Sequence, residues 1–287
     1  MKMLLDDPTS KIETGIFRTA GVRSYGNPQL HTIGKIPLSF PNSSPPTILL
    51  GLTSLDTDVL RVRCNLLSVT PRDVDIDVES WGDTKLCSAG CSWLSIPQDD
   101  TDLQYGRFDT LEDHPITKPQ KSTKRSITFA CPYYALPKVV VWLEAISTDS
   151  AHHCRIMATA TNITVHGFTI EIDTWLDTNV LCATVAWFAH SADRKDMRSG
   201  TFSTDDVRTR NEPRSKTSSY TPFSRGGFAK KPRVFCGLNL LSVDQDRNLR
   251  VEVHTSDLTM NGMTWHLDSW GDTILYGVGA SYIAFDQ

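Results

Sequence analysis

The chain has 287 residues, with 29 Lys and Arg against 33 Asp and Glu, for a formal net charge of −4. That balance lacks the strong basic footprint of a general nucleic-acid binder. Apolar residues at 39% and charged residues at 22% suit soluble globular domains.

The opening MKMLLDDPTSK carries acids before any apolar core forms, so it does not read as a secretory signal. No apolar run approaches the ~18 residues that span a bilayer. The expectation is a cytoplasmic or non-classically secreted chain without membrane insertion. Seven cysteines, an odd number with no Cys-x-x-Cys pair, argue against a disulfide scaffold or a zinc site and for free thiols. Asn42-Ser-Ser and Asn162-Ile-Thr fit glycosylation acceptors only if the chain enters the secretory pathway.

In chain order, TILLGL (47–52), KVVVWLEAI (138–146) and RVFCGLNLL (233–241) read as buried strands behind Pro or Gly breakers. DVDIDVESW (73–81) and GFTIEIDTW (167–175) alternate with period two. No stretch has a helical period with caps, so the class is all-β, with short strands and frequent turns predicting sandwiches.

The strongest signal is internal repetition. A Trp-x-Asp-Thr motif recurs at Trp81, Trp175 and Trp270, with periods of 94 and 95. Twenty residues before each Trp stands Arg61, Arg155 or Arg250, and twelve after it an aromatic, Trp93, Trp187 or Tyr282. Each unit opens with Gly-x-Phe-x-Thr at Gly15, Gly106 and Gly200, and Pro28, Pro119 and Pro213 follow thirteen residues later. Periods this long suit small domains with their own cores rather than solenoid units. The predicted domains are 1–100, 101–195 and 196–287, with polar joints PQDDTD and SADRKD.

Strand parity places the motif residues opposite the core face. Val74, Ile76 and Val78 alternate against Asp75, Asp77, Glu79 and Trp81; Leu60, Val62 and Cys64 alternate against Arg61. Arg155, Trp175, Arg250 and Trp270 keep the same parity in their own repeats. Outward Arg and Trp suggest a recognition surface, since a ring face suits the C–H side of a sugar and a guanidinium fork suits hydroxyls or carboxylates. The alternative is that each Trp caps its strand end under a loop or against the next unit, where it can also line a groove.

The ordered set "PPTILLGLTSLD…LRVRCNLLSVT…WGDT…CSWLSI", "ITFACPYYALPKVVVWLEAI…CRIMATATNITVHGFTIEIDTWLDT…VAWFA" and "KPRVFCGLNLLSVD…NLRVEVHTSDLTMNGMTWHLDSWGDT" resembles the H-type lectin domain three times over. The resemblance implies three tandem antiparallel six-stranded β-sandwich domains arranged as an intrachain pseudo-trimer, with higher oligomers possible. It implies binding, without cofactor or metal, of galactose- or N-acetylgalactosamine-type glycans of glycoproteins or glycolipids in shallow interface sites. Carried over by position, the site residues are Arg61, Trp81, Arg155, Trp175, Arg250 and Trp270. The family tyrosine is kept at Tyr276 and replaced by Cys87 and Leu181. The family aspartate falls near Asn27, Lys118 and Glu212, of which Asn27 and Glu212 accept hydroxyl protons. The histidine that follows the Trp in one family branch is Gly82, Leu176 and Gly271 here. On this reading the third repeat holds the best-preserved site. The alternative is a structural or cell-adhesion protein that uses its sandwiches for protein contacts.

Competing chemistries are weaker. Asp75, Asp77 and Glu79 have glycosidase-like spacing, but their counterparts differ between repeats, so a solvated polar face is expected. His152 and His153 point opposite ways along a strand and make a poor chelate. Lys118, Lys121, Lys124 and Arg125 read as a solvated basic linker. No catalytic constellation stands out, and the chain is read as non-enzymatic.

Overall fold

The structure is a computed structural model describing residues 12–39, 44–98, 100–149, 153–224, 226–244 and 247–286. The opening MKMLLDDPTSK, Asn42 and His152 lie outside the described residues.

Among the described residues the first repeat forms β1 (Glu13–Arg18), β2 (His31–Pro37), β3 (Thr47–Thr57), β4 (Arg61–Val69), β5 (Asp73–Ser80) and β6 (Leu86–Ile96). The second forms β7 (Gln104–Asp109), β8 (Ser122–Thr128), β9 (Lys138–Thr148), β10 (Cys154–Thr161), β11 (Gly167–Thr174) and β12 (Val180–His190). The third forms β13 (Met197–Ser203), β14 (Lys216–Pro222), β15 (Arg233–Val243), β16 (Leu249–Ser256), β17 (Gly262–Asp268) and β18 (Leu275–Phe285). Lys124 and Arg125 therefore lie within a strand rather than a linker. Lys124 pairs with Glu171 at 3.1 Å and Arg125 with Asp113 at 2.7 Å. Glu171 is the cross-strand neighbour of Lys124 and Asp113 belongs to the turn after β7, which corrects the linker expectation, while Lys124 stays solvent-exposed.

Each repeat is a sandwich of two three-stranded layers, and each layer continues into a neighbouring repeat. The three six-stranded sheets run β1-β6-β3-β16-β17-β14, β13-β18-β15-β10-β11-β8 and β2-β5-β4-β9-β12-β7. Repeat 1 thus joins repeat 3 through β3 and β16, repeat 3 joins repeat 2 through β15 and β10, and repeat 2 joins repeat 1 through β9 and β4. The ring closes as an antiparallel pseudo-trimer within one chain.

This closure explains the unbroken apolar runs. In β3, β9 and β15 one side faces a sandwich core and the other the pseudo-threefold axis, so alternation disappears. The axis holds Leu49, Leu94, Phe188, Phe235, Ile283 and their neighbours. Gly51, Trp142 and Gly237 occupy the same place in β3, β9 and β15. One indole fills the space over two glycines: a Cβ at Gly51 or Gly237 would stand 2.6 or 2.7 Å from Trp142. The buried Trp142 Nε1–H donates to the Leu50 carbonyl at 2.7 Å, which satisfies this indole's donor.

The opening motif acquires a reason as well. Trp93, Trp187 and Tyr282 lie across β1, β7 and β13 on Gly15, Gly106 and Gly200, where a Cβ would come within 2.9 Å of the ring. The motif threonines Thr19, Thr110 and Thr204 accept from the backbone N–H of Ala89, Ala183 and Val278 at 2.9, 3.0 and 3.1 Å. They serve donors that irregular pairing along the long strands leaves open, as at the register shift between Leu52 and Ser54.

Candidate functional site

Each seam between repeats opens with an arginine. In cross-strand register Arg250 lies opposite Asp56, Arg155 opposite Ser242 and Arg61 opposite Ser147. The arginines are not free outward side chains. The neighbouring repeat covers them, leaving side-chain exposures of 17%, 10% and 16% for Arg250, Arg155 and Arg61.

The Trp-x-Asp-Thr motif is the turn that holds each arginine. The Thr N–H returns to the Trp carbonyl at 3.4 Å in all three copies. The residue between Trp and Asp is left-handed, with φ of +66° at Gly82, +55° at Leu176 and +63° at Gly271. Glycine enters that region without strain. At Gly271 a Cβ would also stand 2.9 Å from Arg250 Nη1. The motif aspartate then ion-pairs with the arginine: Asp83 with Arg61, Asp177 with Arg155, and Asp272 with Arg250 at 2.5 Å. Arg61 and Arg250 hold the Asp83 and Asp272 carboxyls below the usual carboxylate range. These aspartates are the residues that sequence reasoning passed over, although they stand inside the repeated motif.

The Arg250 seam is the most polar. Asp56 is fully buried. One of its oxygens lies 3.5 Å from Arg250 Nε, and the other accepts from Tyr25 Oη at 2.8 Å and Trp270 Nε1 at 3.3 Å. The hydrogen bond to Asp56 raises the Tyr25 phenol above its ordinary pKa. The Trp270 indole keeps an exposed flank.

At the Arg155 seam the Arg210 guanidinium of repeat 3 lies 5.3 Å over the Trp175 ring. Asp205 anchors Arg210 at 2.7 Å. Tyr276 Oη donates to Asp244 Oδ2 at 3.0 Å beside the Ser242–Gly277 and Val243–Leu275 pairs of this same seam. Tyr276 therefore accompanies Arg155 and Trp175, not Arg250 and Trp270. The third repeat does not gather one preserved site, because strand order sends its Arg–Trp edge to repeat 1 and its tyrosine edge to repeat 2. Cys87 and Leu181 likewise serve the Arg250 and Arg61 seams. At the Arg61 seam, Ile116 stands at the position of Tyr25 and Arg210, and the Arg63 guanidinium lies 5.2 Å over the Trp81 ring.

Asn27 and Glu212 are exposed on the loops that bring Tyr25 and Arg210 to the seams. The exposed Glu212 carboxylate, expected as a free acceptor, has Arg214 3.6 Å away. Two further buried arginines fix these loops. Arg23 donates to the carbonyls of Leu86 at 2.7 Å, Cys87 at 3.0 Å and Asn27 at 3.3 Å. Arg208 does the same to Leu275 at 2.8 Å, Tyr276 at 3.0 Å and Glu212 at 3.2 Å. Repeat 2 has His114 there, bonded to Thr123 at 3.1 Å, with Nδ1 buried and unpartnered. Their sequence signal was the shared place eight residues after the opening glycine. Asp77, expected on a solvated face, is buried because it accepts from the Thr32 N–H at 3.1 Å and pairs with His31 at 2.8 Å.

Each seam combines a guanidinium held by carboxylate and a flat indole. A guanidinium has five N–H donors, more than the Asp272 and Asp56 contacts engage, so the group can donate to ligand hydroxyls from a fixed position.

Two solved structures of discoidin II from Dictyostelium discoideum are similar to this chain. One is 12% identical, covering 62% of this chain and 95% of its own with a TM-score of 0.28. The other is 13% identical, covering 62% and 92% with a TM-score of 0.27. Likenesses of that strength carry no further inference. No curated protein sequence matches the chain. The H-type lectin domain matches residues 35–96, 124–190 and 220–285, more than half of the chain, and the chain belongs to the H-type lectin family.

Proposed function

We propose that this chain binds galactose- or N-acetylgalactosamine-type glycans at the three seams, and that it acts by multivalent recognition without catalysis. The observation that carries the reading is the threefold recurrence of an Asp-held arginine beside a Trp at a boundary between repeats. The guanidinium donates to sugar hydroxyls and the indole receives the C–H face. The Arg250 seam is the primary site, because Asp56 adds an acceptor within a network that fixes Arg250, Trp270 and Tyr25 together. The Arg155 seam presents Arg210 over its indole, which favours an acidic glycan there.

A single shallow site binds weakly, but several on one rigid body gain ~10²–10⁴ in avidity on a glycan-dense surface. A protein-contact role is the second reading, favoured at the Arg61 seam by Ile116 and Leu181 in place of polar neighbours.

Glycan-array binding of the wild type, beside Arg250→Ala and the triple variant Arg61→Ala/Arg155→Ala/Arg250→Ala, tests this. The single variant is expected to lose one class of sites and the triple variant all binding. A wild type that binds no glycan removes the lectin reading. A triple variant that binds normally removes the site assignment.

A further inference from the structure

Repeat 3 carries a cluster on the outer face of β16 and β17 that its two sister repeats lack. His254 and His266 are directly paired across the strands. Their rings stack at 4.5 Å with 3° between planes. Asp268 shares the face of His266 two residues on. One ligand atom from each of His254, His266 and Asp268 lies within 4.8 Å of the other two.

The hydrogen bonding leaves acceptor atoms of all three side chains without a protein partner. Ser256 Oγ donates to Asp257 at 2.9 Å, so its contact with His266 Nε2 at 2.8 Å is one in which Ser256 accepts. That fixes the proton on Nε2 and leaves a bare Nδ1. His254 Nδ1 and Asp268 Oδ1 are both buried and have no partner. Orphaned polar atoms at this depth are uncommon and call for a counterpart.

The sister repeats supply such counterparts from protein. At the matching positions Asp77 takes His31, Glu79 takes Asn65 at 2.6 Å, and Glu171 takes Lys124 and Thr161 at 3.1 and 2.9 Å. Repeat 3 has Ser218 where repeat 2 has Lys124, and Ser218 stands opposite His266. Repeat 3 has no cation at the Lys124 position and two imidazoles stand instead; Lys216, the cross-strand neighbour of Asp268, leaves Asp268 Oδ1 unpartnered.

We propose that His254, His266 and Asp268 bind one divalent transition-metal ion of the zinc class. Two imidazole nitrogens and a carboxylate oxygen suit zinc, nickel, cobalt or copper better than calcium or magnesium. Ligands ~2.0–2.2 Å from a tetrahedral ion sit roughly 3.3 Å apart, so binding requires the two imidazoles to rotate out of their parallel stack toward the ion. Water completes the shell. The site lies four residues along β16 from Arg250 on the same strand face, ~13 Å away, so it stands beside the seam without sharing its residues. It revises the metal-free expectation for this repeat alone.

The full chain, stripped with chelator, is titrated with Co²⁺ followed by its visible d–d absorption, and with Zn²⁺ by calorimetry. One ion per chain at micromolar affinity is expected. His254→Thr, which installs the Thr159 of repeat 2, and Asp268→Asn are each expected to weaken binding at least tenfold, with unchanged melting of the metal-free proteins. Zn²⁺ affinity no better than millimolar overturns the proposal. So does wild-type affinity in both variants, because the ion then sits elsewhere.

Discussion

Arg250 and Asp56 meet across the boundary between the last repeat and the first, Nε to Oδ1 at 3.5 Å. The two other seams put a serine where Asp56 stands. Replacing Asp56 by Ser therefore makes the three seams alike at this position. It also strips the acceptor from Tyr25 and Trp270 and one carboxylate from Arg250. The expected cost is about 2–3 kcal/mol, the usual size for breaking a buried charged hydrogen-bond network. Urea unfolding measures it, and glycan titration is expected to show one site fewer.

Acid separates the arginines from their motif aspartates. Asp83 and Asp272 titrate below their ordinary value in the folded protein. The ion pairs are thus intact above the unfolded carboxylate pKa of ~3.9 and are lost as pH falls through the lower folded values. Retention on a galactose matrix should be flat from pH 7 to 5 and should fall below about pH 4.

His190 sets a second acid dependence with a different window. Burial pushes its imidazole down to about 4. Its Nδ1 contacts the Ser191 carbonyl at 2.9 Å and its Nε2 contacts Ser199 Oγ at 2.8 Å, which suits the neutral ring. The unfolded state, with a pKa of ~6.5, binds the proton first, so stability falls as pH drops from ~6.5 toward 4, by roughly 3 kcal/mol. His190→Gln should flatten that part of the stability–pH curve in chemical denaturation. A slope unchanged by the substitution removes His190 as its source.

The second motif copy carries a local strain that the other two avoid. Leu176 has φ +55° and is 74% exposed. A left-handed L-residue costs about 1–2 kcal/mol, part of which glycine returns in backbone entropy. Leu176→Gly should raise stability by up to about 1 kcal/mol, whereas Gly271→Leu should lower it by about 1–2 kcal/mol and disturb Arg250. Thermal melts of the two variants are expected to move in opposite directions.

Trp142 at the axis gives the largest expected loss. Trp142→Ala removes a fully buried indole and should cost about 3–5 kcal/mol. Gly51→Ala drives a methyl into the same ring and should cost about 1–3 kcal/mol. Combining Gly51→Ala with Trp142→Phe should cost less than the two separate losses together, since both act on one space. Urea midpoints of the four proteins close that cycle.

The strands were legible because their patterns are local. DVDIDVES alternates, and TILLGL and VVVWL are continuous where both sides of a strand are covered. Pairing partners were not legible, because periodicity records which face of a strand is buried but not which chain segment buries it. For that reason Tyr276 was grouped with Arg250, although β18 delivers it to Arg155. Parity correctly moved Arg61 off its own core but was silent about the neighbouring repeat that covers it. The motif aspartates were visible as letters, yet their role depends on a left-handed turn that aims Asp83, Asp177 and Asp272 back at the arginines.

Trp142 over Gly51 and Gly237 gives the ring a keyed centre. Three copies of the middle repeat would bring three indoles to a space sized for one, and three copies of either outer repeat would leave it hollow. The three repeats have become distinct parts with assigned seats, and an isolated repeat is expected to rebuild the assembly poorly by self-association.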